Sequence, residues 1–257
     1  MGSNAMFTAV TGAGAQQLRI DVISNNLANL GTTGFKASRP QFEDLLYETV
    51  RPAVGEGGSP TGIQFGRGTR IVATEKILTS GVLRTTEQPL DVAIDGRGFL
   101  AVTQLNGDIA YTRDGSLKLD PNGNLVNAAG LPIQPAITVP TDTVEIQITQ
   151  DGFISVRQPG STTLTQVGQL QLTIFPNEAG LSAIGGNLLV ESDASGAPTT
   201  GTPATESYGA LQQGSLEEAN VNIAEELVNL ILAQRAFEAN TRVISASDDI
   251  LRFVTQR

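Results

Sequence analysis

The chain has 257 residues, with no His, no Cys, 28 Gly and a formal net charge of −10. The two zeros exclude Ser-His-Asp and Cys-His catalysis, His-ligated metals, zinc fingers and disulfide scaffolds, so a catalyst would have to rest on carboxylates, Lys, Tyr or a bound cofactor. The negative charge opposes phosphate backbones and speaks against nucleic acid as a partner, while 40% hydrophobic residues suffice for a core.

The first predicted element runs from Met6 to about Leu30. It has no Pro, and its only glycines, Gly12 and Gly14, lie early. Ile20, Ile23, Leu27 and Leu30 recur at spacings of 3, 4 and 3, the heptad spacing of a helix seam. Gly31 stands where a helix C-cap belongs, and Gly34 and Pro40 rule out simple continuation. Asn is a mediocre helix former. Asn25, Asn26 and Asn29 therefore have two readings: fraying and capping near Gly31, or register-setting hydrogen bonds across a helix seam. Asn220, Asn222, Asn229 and Asn240 are the candidate complements for the second. Residues 36–74 read as a polar, Gly-rich connector with some strand character.

Residues 75–215 change period. Val92, Ile94, Leu100, Val102, Ile109, Tyr111, Leu117 and Leu119 fall in short alternating runs. The pairs Asp95-Gly96, Asn106-Gly107, Asp114-Gly115, Asn122-Gly123 and Asp151-Gly152 separate these runs, a hairpin pattern. Further strands are predicted at Val144–Ile148, Phe153–Val156, Val167–Phe175 and Asn187–Val190, with a surface loop over 192–206. The last element is a helix over residues 216–257. From Leu216 to Arg257 there is no Gly and no Pro. Ile223, Leu227, Leu230, Phe237, Ile244 and Leu251 mark a heptad track with Gln234, Thr241 and Asp248 as polar members, and Ala224, Val228 and Ile231 form a second apolar stripe. A helix of roughly 40 residues is about 60 Å long, longer than a compact domain of this size is wide. The fold class expected is therefore α+β, mainly β. The terminal helices, 1–35 and 216–257, form a coiled-coil layer beside an antiparallel β body over 75–215.

Chemical motifs are weak. Gly96-Arg97-Gly98-Phe99-Leu100-Ala101 matches a dinucleotide fingerprint, but the following residues read as strand and turn rather than the helix that would hold a pyrophosphate. Asp120-Pro121-Asn122-Gly123-Asn124 lacks the spacing and the terminal Glu of a calcium loop and reads as a hairpin turn. Glu217-Glu218 and Glu225-Glu226 are adjacent in a predicted helix, so their side chains diverge by about 100°. They read as structural, and acids in a first turn suit the helix dipole. No apolar run of about 18 residues is present, so no membrane-spanning helix is expected. No basic segment leads into an apolar one, so no signal peptide is expected either.

Several segments together resemble a family. Asn25-Asn26-Leu27-Ala28-Asn29 with Thr32-Thr33-Gly34-Phe35-Lys36 is similar to the N-terminal signature of bacterial flagellar rod and hook axial proteins. Pro89-Leu90-Asp91-Val92-Ala93-Ile94-Asp95-Gly96, Gly98-Phe99 and Tyr111-Thr112-Arg113-Asp114-Gly115-Ser116 resemble the same family, as do Gln213-Gly214-Ser215-Leu216-Glu217 and Asn220-Val221. Ala233-Gln234-Arg235-Ala236-Phe237-Glu238-Ala239-Asn240 favours its distal-rod members over the proximal rod and hook paralogues, and a hook protein would carry a larger middle insertion. The resemblance implies a non-enzymatic, self-assembling homopolymer with no cofactor, no metal and no small-molecule substrate. Terminal helices would line the inner tube and the β body would lie outside, in a rod spanning the periplasm to the outer membrane. Implied partners are the proximal rod proteins, the hook protein, the P-ring and L-ring proteins and the flagellar type III export apparatus. The residues expected at assembly interfaces are Ile20, Ile23, Asn25, Asn26, Leu27, Asn29, Leu30, Gly34 and Phe35, and in the second helix Ile223, Leu227, Leu230, Ile231, Gln234, Arg235, Phe237, Asn240, Ile244 and Leu251. The competing class, a carboxylate enzyme or glycan-binding module, calls for a stable monomer with a cleft. Aromatics at 5% and the absence of Trp count against sugar stacking.

Overall fold

The computed structural model describes residues 2–52, 61–160 and 163–255. The chain divides into two compact units. The first takes in the chain up to Ala28, the stretch Ser38–Lys76 and everything from Asn222 onward; the second comprises Asn29–Ala37 and Ile77–Val221. No helix among the described residues is long and apolar enough to cross a membrane.

In the first unit, helix α1 (Gly2–Ala28) packs along helix α2 (Ile223–Thr255). Three points give the pairing direction. Gly12 faces Asn240, Arg19 bonds Asn229, and Asn26 bonds Glu226, so the helices are antiparallel. Asn222 caps α2, its side-chain oxygen accepting the Ala224 N–H at 3.1 Å. A ribbon of strands β1 (Ser38–Asp44) and β4 (Thr69–Lys76) pairs antiparallel from Ser38↔Lys76 to Asp44↔Thr69, with a bulge at Gln41/Phe42. Strands β2 (Glu48–Arg51) and β3 (Ile63–Phe65) form a second antiparallel pair. Both pairs lie within the stretch that reads as a connector. From Ser38 to Lys76 none of the described residues is fully buried.

The second unit is all antiparallel β. Strand β5 (Leu83–Thr85) pairs with Ser215–Glu217, and strand β6 (Val92–Asp95) with Ala210–Gln213. Strands β7 (Leu100–Thr103) and β8 (Ile109–Thr112) are joined through Asn106-Gly107 and sit at the centre of a five-stranded sheet. A three-stranded meander, Glu145–Ile148, Phe153–Arg157 and Thr165–Gln169, lies beside it in sequence. Alternation along these strands fills one core, in which Val92, Ile94, Leu100, Val102, Leu125, Ile133, Leu170, Leu172 and Leu211 are essentially inaccessible. In a smaller aromatic cluster Phe175 is met edge-on by Tyr111 at 4.8 Å, and the Phe99 ring lies 6.2 Å from the same Phe175 ring. Gly115 shows why a turn residue can be obligatory. A Cβ there would lie 1.7 Å from the Val92 carbonyl oxygen, to which no side chain could adapt.

The differences from the sequence reading are local. Helix α1 stops at Ala28, and Asn29 turns the chain by accepting the Thr32 N–H at 3.0 Å, so Leu30 and Gly31 lie outside it. Helix α2 starts at Ile223 rather than Leu216, because Ser215–Glu217 is held as a strand against β5 and Asn222 supplies the cap. The predicted strand Val167–Phe175 is two strands in two sheets, and the predicted loop 192–206 contains the strand Thr199–Gly201. The dinucleotide-like Gly96-Arg97-Gly98 segment is the turn from β6 to β7, and Asp120 closes a hairpin turn by accepting the N–H groups of Asn122 and Asn124. We expect Leu172→Ala, a truncation in the fully packed core, to lower unfolding stability by about 2–5 kcal/mol in urea titration.

Candidate functional site

The densest polar construction in the molecule is buried in the second unit, and it assembles the signature segments. Lys36, Arg113 and Glu217 meet there with side chains 3%, 4% and 0% exposed. The Glu217 carboxylate accepts from Lys36 Nζ and the Gly81 N–H through Oε1, and from Arg113 Nε at 3.0 Å through Oε2. Lys36 Nζ also donates to the Thr79 carbonyl at 2.8 Å. Arg113 spends its remaining donors on the carbonyls of Gly96 and Gly98, each at 2.8 Å from Nη1, and lies 5.7 Å from the Phe99 ring centre. Burial, then the Arg113 guanidinium, pulls the Lys36 ammonium below the usual lysine range, and Glu217 pushes it back up. Two cations on one anion leave a buried excess of positive charge, which the carbonyl oxygens of Gly96, Gly98 and Thr79 offset.

The same carboxylate-bearing strand receives Gly34. Its N–H donates to the Glu217 carbonyl at 2.8 Å with φ at 69°, and a Cβ there would sit 2.7 Å from the Arg113 carbonyl carbon. Only glycine meets both demands. Phe35, half-buried, follows through a 3.2 Å bond from its N–H to the Thr32 carbonyl. Asn220 completes this end of the unit. Its carboxamide accepts the Ala37 N–H at 2.7 Å and donates to the Ile77 carbonyl at 2.7 Å.

In the first unit, Asn26 is the counterpart of Asn220. It is buried, accepts the Ser38 N–H at 2.9 Å, and donates to the Ser38 carbonyl and to Glu226 Oε1 at 2.9 and 3.0 Å. Of the two readings of the asparagines, Asn26 follows the seam reading, whereas Asn29 forms a turn by accepting from Thr32 Oγ1. Asn25 is exposed. The α2 seam includes Glu226, Asn229, Leu230, Ala233, Phe237, Asn240, Ile244 and Ser247, of which Ala233 and Ser247 are buried. The heptad track is therefore divided. Leu230, Phe237 and Ile244 are half-buried at the seam, as are Ile20 and Leu27 on α1, and Ile23 is buried. Ile223, Leu227, Ile231, Gln234, Arg235 and Leu251 are exposed. The seam's central row is small and polar, which apolar periodicity does not reveal. Asn240 faces Gly12, where a Cβ would come within 3.1 Å of its side chain, and the buried Ala233 keeps the seam narrow.

Sequence reasoning did not single out Lys36, Arg113 or Glu217 as site residues. The available signal was a charge inside each family-like segment. Glu217→Ala leaves Lys36 and Arg113 buried without their anion and should cost about 3–5 kcal/mol. Glu218→Ala, which removes only the exposed pair with Arg84, should change stability by about 0.5 kcal/mol or less. Urea titrations of the two variants check the contrast.

Three family descriptions match the chain in order. The flagella basal body rod protein family covers residues 6–36, the flagellar hook protein FlgE/F/G D1 domain covers 93–156, and the flagellar basal body rod FlgEFG protein C-terminal region covers 212–257. The chain is 48% identical to the flagellar basal-body rod protein FlgG of Buchnera aphidicola subsp. Acyrthosiphon pisum, covering 98% of both chains. It is 44% identical to the FlgG of Borreliella burgdorferi, covering 96% of both, and 41% identical to that of Caulobacter vibrioides, covering 98% of both. The Glu217 node joins segments from all three matched regions, with Lys36 in the first, Arg113 in the second and Glu217 in the third. The chain belongs to the flagellar basal-body rod protein family.

Proposed function

We infer that this chain is a structural subunit of the flagellar distal rod, polymerising into a helical tube that transmits torque from the motor to the hook. The observation that carries this reading is the first third of α2. Leu230 closes the seam, while Ile223, Leu227, Val228, Ile231 and Leu232 are all exposed, Ile231 and Leu232 at 56% and 57%. A helix that is apolar on every side belongs in the interior of an assembly. Each of these side chains gains about 1.5–3 kcal/mol on full burial, so a contact repeated along a polymer has ample driving force. A head-to-tail contact whose rotation does not close generates a helical polymer. Near-full-length similarity to rod proteins named FlgG favours the distal rod over the proximal rod and hook paralogues.

The surroundings follow from that position. The proximal rod proteins would meet the polymer at one end and the hook protein at the other, with the P-ring and L-ring proteins as a bushing and the flagellar type III apparatus delivering the subunits. The role is mechanical rather than catalytic, and the terminal helices with the Gly34–Phe35 exit are its assembly surface.

Leu227→Asp tests the reading. Leu227 is 43% exposed and outside the seam, so the purified variant should keep its unfolding stability within about 0.5 kcal/mol. In a strain lacking the native gene, the wild-type chain should restore full rods. The variant should give basal bodies whose rods stop short of the outer membrane in electron cryotomography. Complete rods and hooks built from Leu227→Asp would contradict the assignment.

A further inference from the structure

The sequence contains Asn-Gly twice, at Asn106-Gly107 and Asn122-Gly123, and the fold puts both in the same kind of turn. Asn106-Gly107 joins β7 to β8, and Asn122-Gly123 joins Lys118–Leu119 to Leu125–Val126. In each turn the glycine stands at positive φ, 89° and 82°, and its N–H donates at 3.0 Å to the carbonyl three residues back, that of Gln104 or Asp120. The residue that opens each turn donates its own N–H across it, Gln104 to the Asp108 carbonyl at 2.8 Å and Asp120 to the Asn124 carbonyl at 3.0 Å. Such a matched pair bears on a reaction peculiar to this dipeptide. The backbone nitrogen after an asparagine attacks the side-chain carbonyl carbon, and glycine, with no Cβ, hinders the attack least. A bond forms from the glycine N to the asparagine Cγ. Nδ2 leaves as ammonia with the glycine N–H proton, and water opens the resulting succinimide at either carbonyl, leaving aspartate or isoaspartate. The glycine N–H must first give up its turn bond, so the rate in the folded chain follows how often the turn opens.

The surroundings separate the two turns. Gly107 is exposed, and no described atom outside its chain neighbours lies within 4 Å of where its Cβ would be. The Asn106 carboxamide bonds Asp108, accepting its N–H at 3.0 Å and donating to its carboxylate at 2.7 Å. These bonds stay within the tip and leave it free to open. The Asp108 N–H on Oδ1 also draws electrons from Cγ, the atom to be attacked. Gly123 is buried instead. Its carbonyl accepts the Val139 N–H at 2.7 Å, and a Cβ there would overlap the Val139 carbonyl oxygen. The Asp120 carboxylate fastens that turn further, accepting the N–H groups of Asn122 and Asn124 at 2.8 and 2.7 Å and the Asn124 side-chain amide at 2.9 Å. We propose that Asn106 is a site of spontaneous deamidation in the folded protein, and that packing against Val139 and the Asp120 bonds protect Asn122. The product adds a negative charge beside Asp108, and isoaspartate adds a backbone carbon, at the tip that carries the almost wholly exposed Leu105.

The purified full chain, folded or in urea, is incubated in mildly alkaline buffer and digested for peptide mapping by mass spectrometry. An isoaspartyl methyltransferase assay detects the isomerised product. In the folded chain Asn106 should gain one dalton at least tenfold faster than Asn122, whereas in urea the two rates should agree within about threefold. Asp120→Ala, which removes the side-chain bonds from the second turn, should speed Asn122 at least threefold in the folded chain and leave Asn106 unchanged. Equal rates at the two sites in the folded chain, a faster Asn122, or a folded chain in which Asn106 does not react would overturn the assignment. A tenfold gap that persists in urea would trace the contrast to neighbouring sequence rather than to the fold, and would overturn it equally. An Asn122 rate unmoved by Asp120→Ala would overturn the protective role of the Asp120 bonds.

Discussion

A carboxylate without water must be surrounded by donors or give up its charge, and Glu217 is wholly enclosed. It holds Lys36 from the start of the chain, Arg113 from the turn after β8, and the Gly81 N–H, while its backbone carbonyl takes Gly34. Three segments remote in sequence are thus fixed to one side chain, and the first of them is held to the backbone as well. Removing one partner is costly because the others stay buried, so the arrangement tolerates little substitution. That explains why Thr32–Lys36, Tyr111–Ser116 and Gln213–Glu217 read as one set of signatures. Each contributes a group to the same node, and Gly34 is a glycine because the Arg113 backbone leaves no room for a Cβ.

The helix pair rests on a different balance. Its seam is narrow and partly polar: Ala233, Asn240 and Ser247 face α1, whose own buried row is Ala9, Ala13 and Ile23. Small residues allow close approach but bury little area, and Asn26, Arg19 and Asn229 fix register more than they add stability. The large apolar side chains of α2 mostly point elsewhere. A pair of helices that keeps its best hydrophobic surface outward is modest by itself and gains most from neighbours, which is the energetic profile of a polymer subunit.

The β body was legible because burial alternates with a period of two. Leu100 and Val102, and Ile154 and Val156, point inward as the alternation predicts; Val92 and Ile94 do so with Ala93 buried between them, whereas Ile109 and Leu119 of the same predicted runs are exposed. The helices were legible as elements, but the seam was only partly so. Leu230, Phe237 and Ile244 were on the right track and Asn240 was among the expected seam residues, whereas Ala233 and Ser247 were passed over and Leu227 and Gln234, which stand on the heptad track, are exposed. The start of α2 was misplaced because Leu216 and Glu217 suit a helix locally. Pairing with β5 and the ion pair with Arg113 override that preference. The node itself was invisible to periodicity, since its partners are separated by 77 residues or more only in three dimensions brought together: Lys36, Arg113 and Glu217 carry no mutual spacing that a local pattern can detect.

The claim that one buried carboxylate organises the signature segments is tested most directly by a double-mutant cycle between Lys36→Met and Glu217→Gln, read by urea unfolding of the full chain. The account predicts strong coupling. The double variant should be less destabilised than the sum of the two single variants by about 1–3 kcal/mol, because each single change strands a buried partner and the double change does not strand that pair. Additive single effects would show that Lys36 and Glu217 do not depend on each other, and would contradict the node as the structural basis of the family signature.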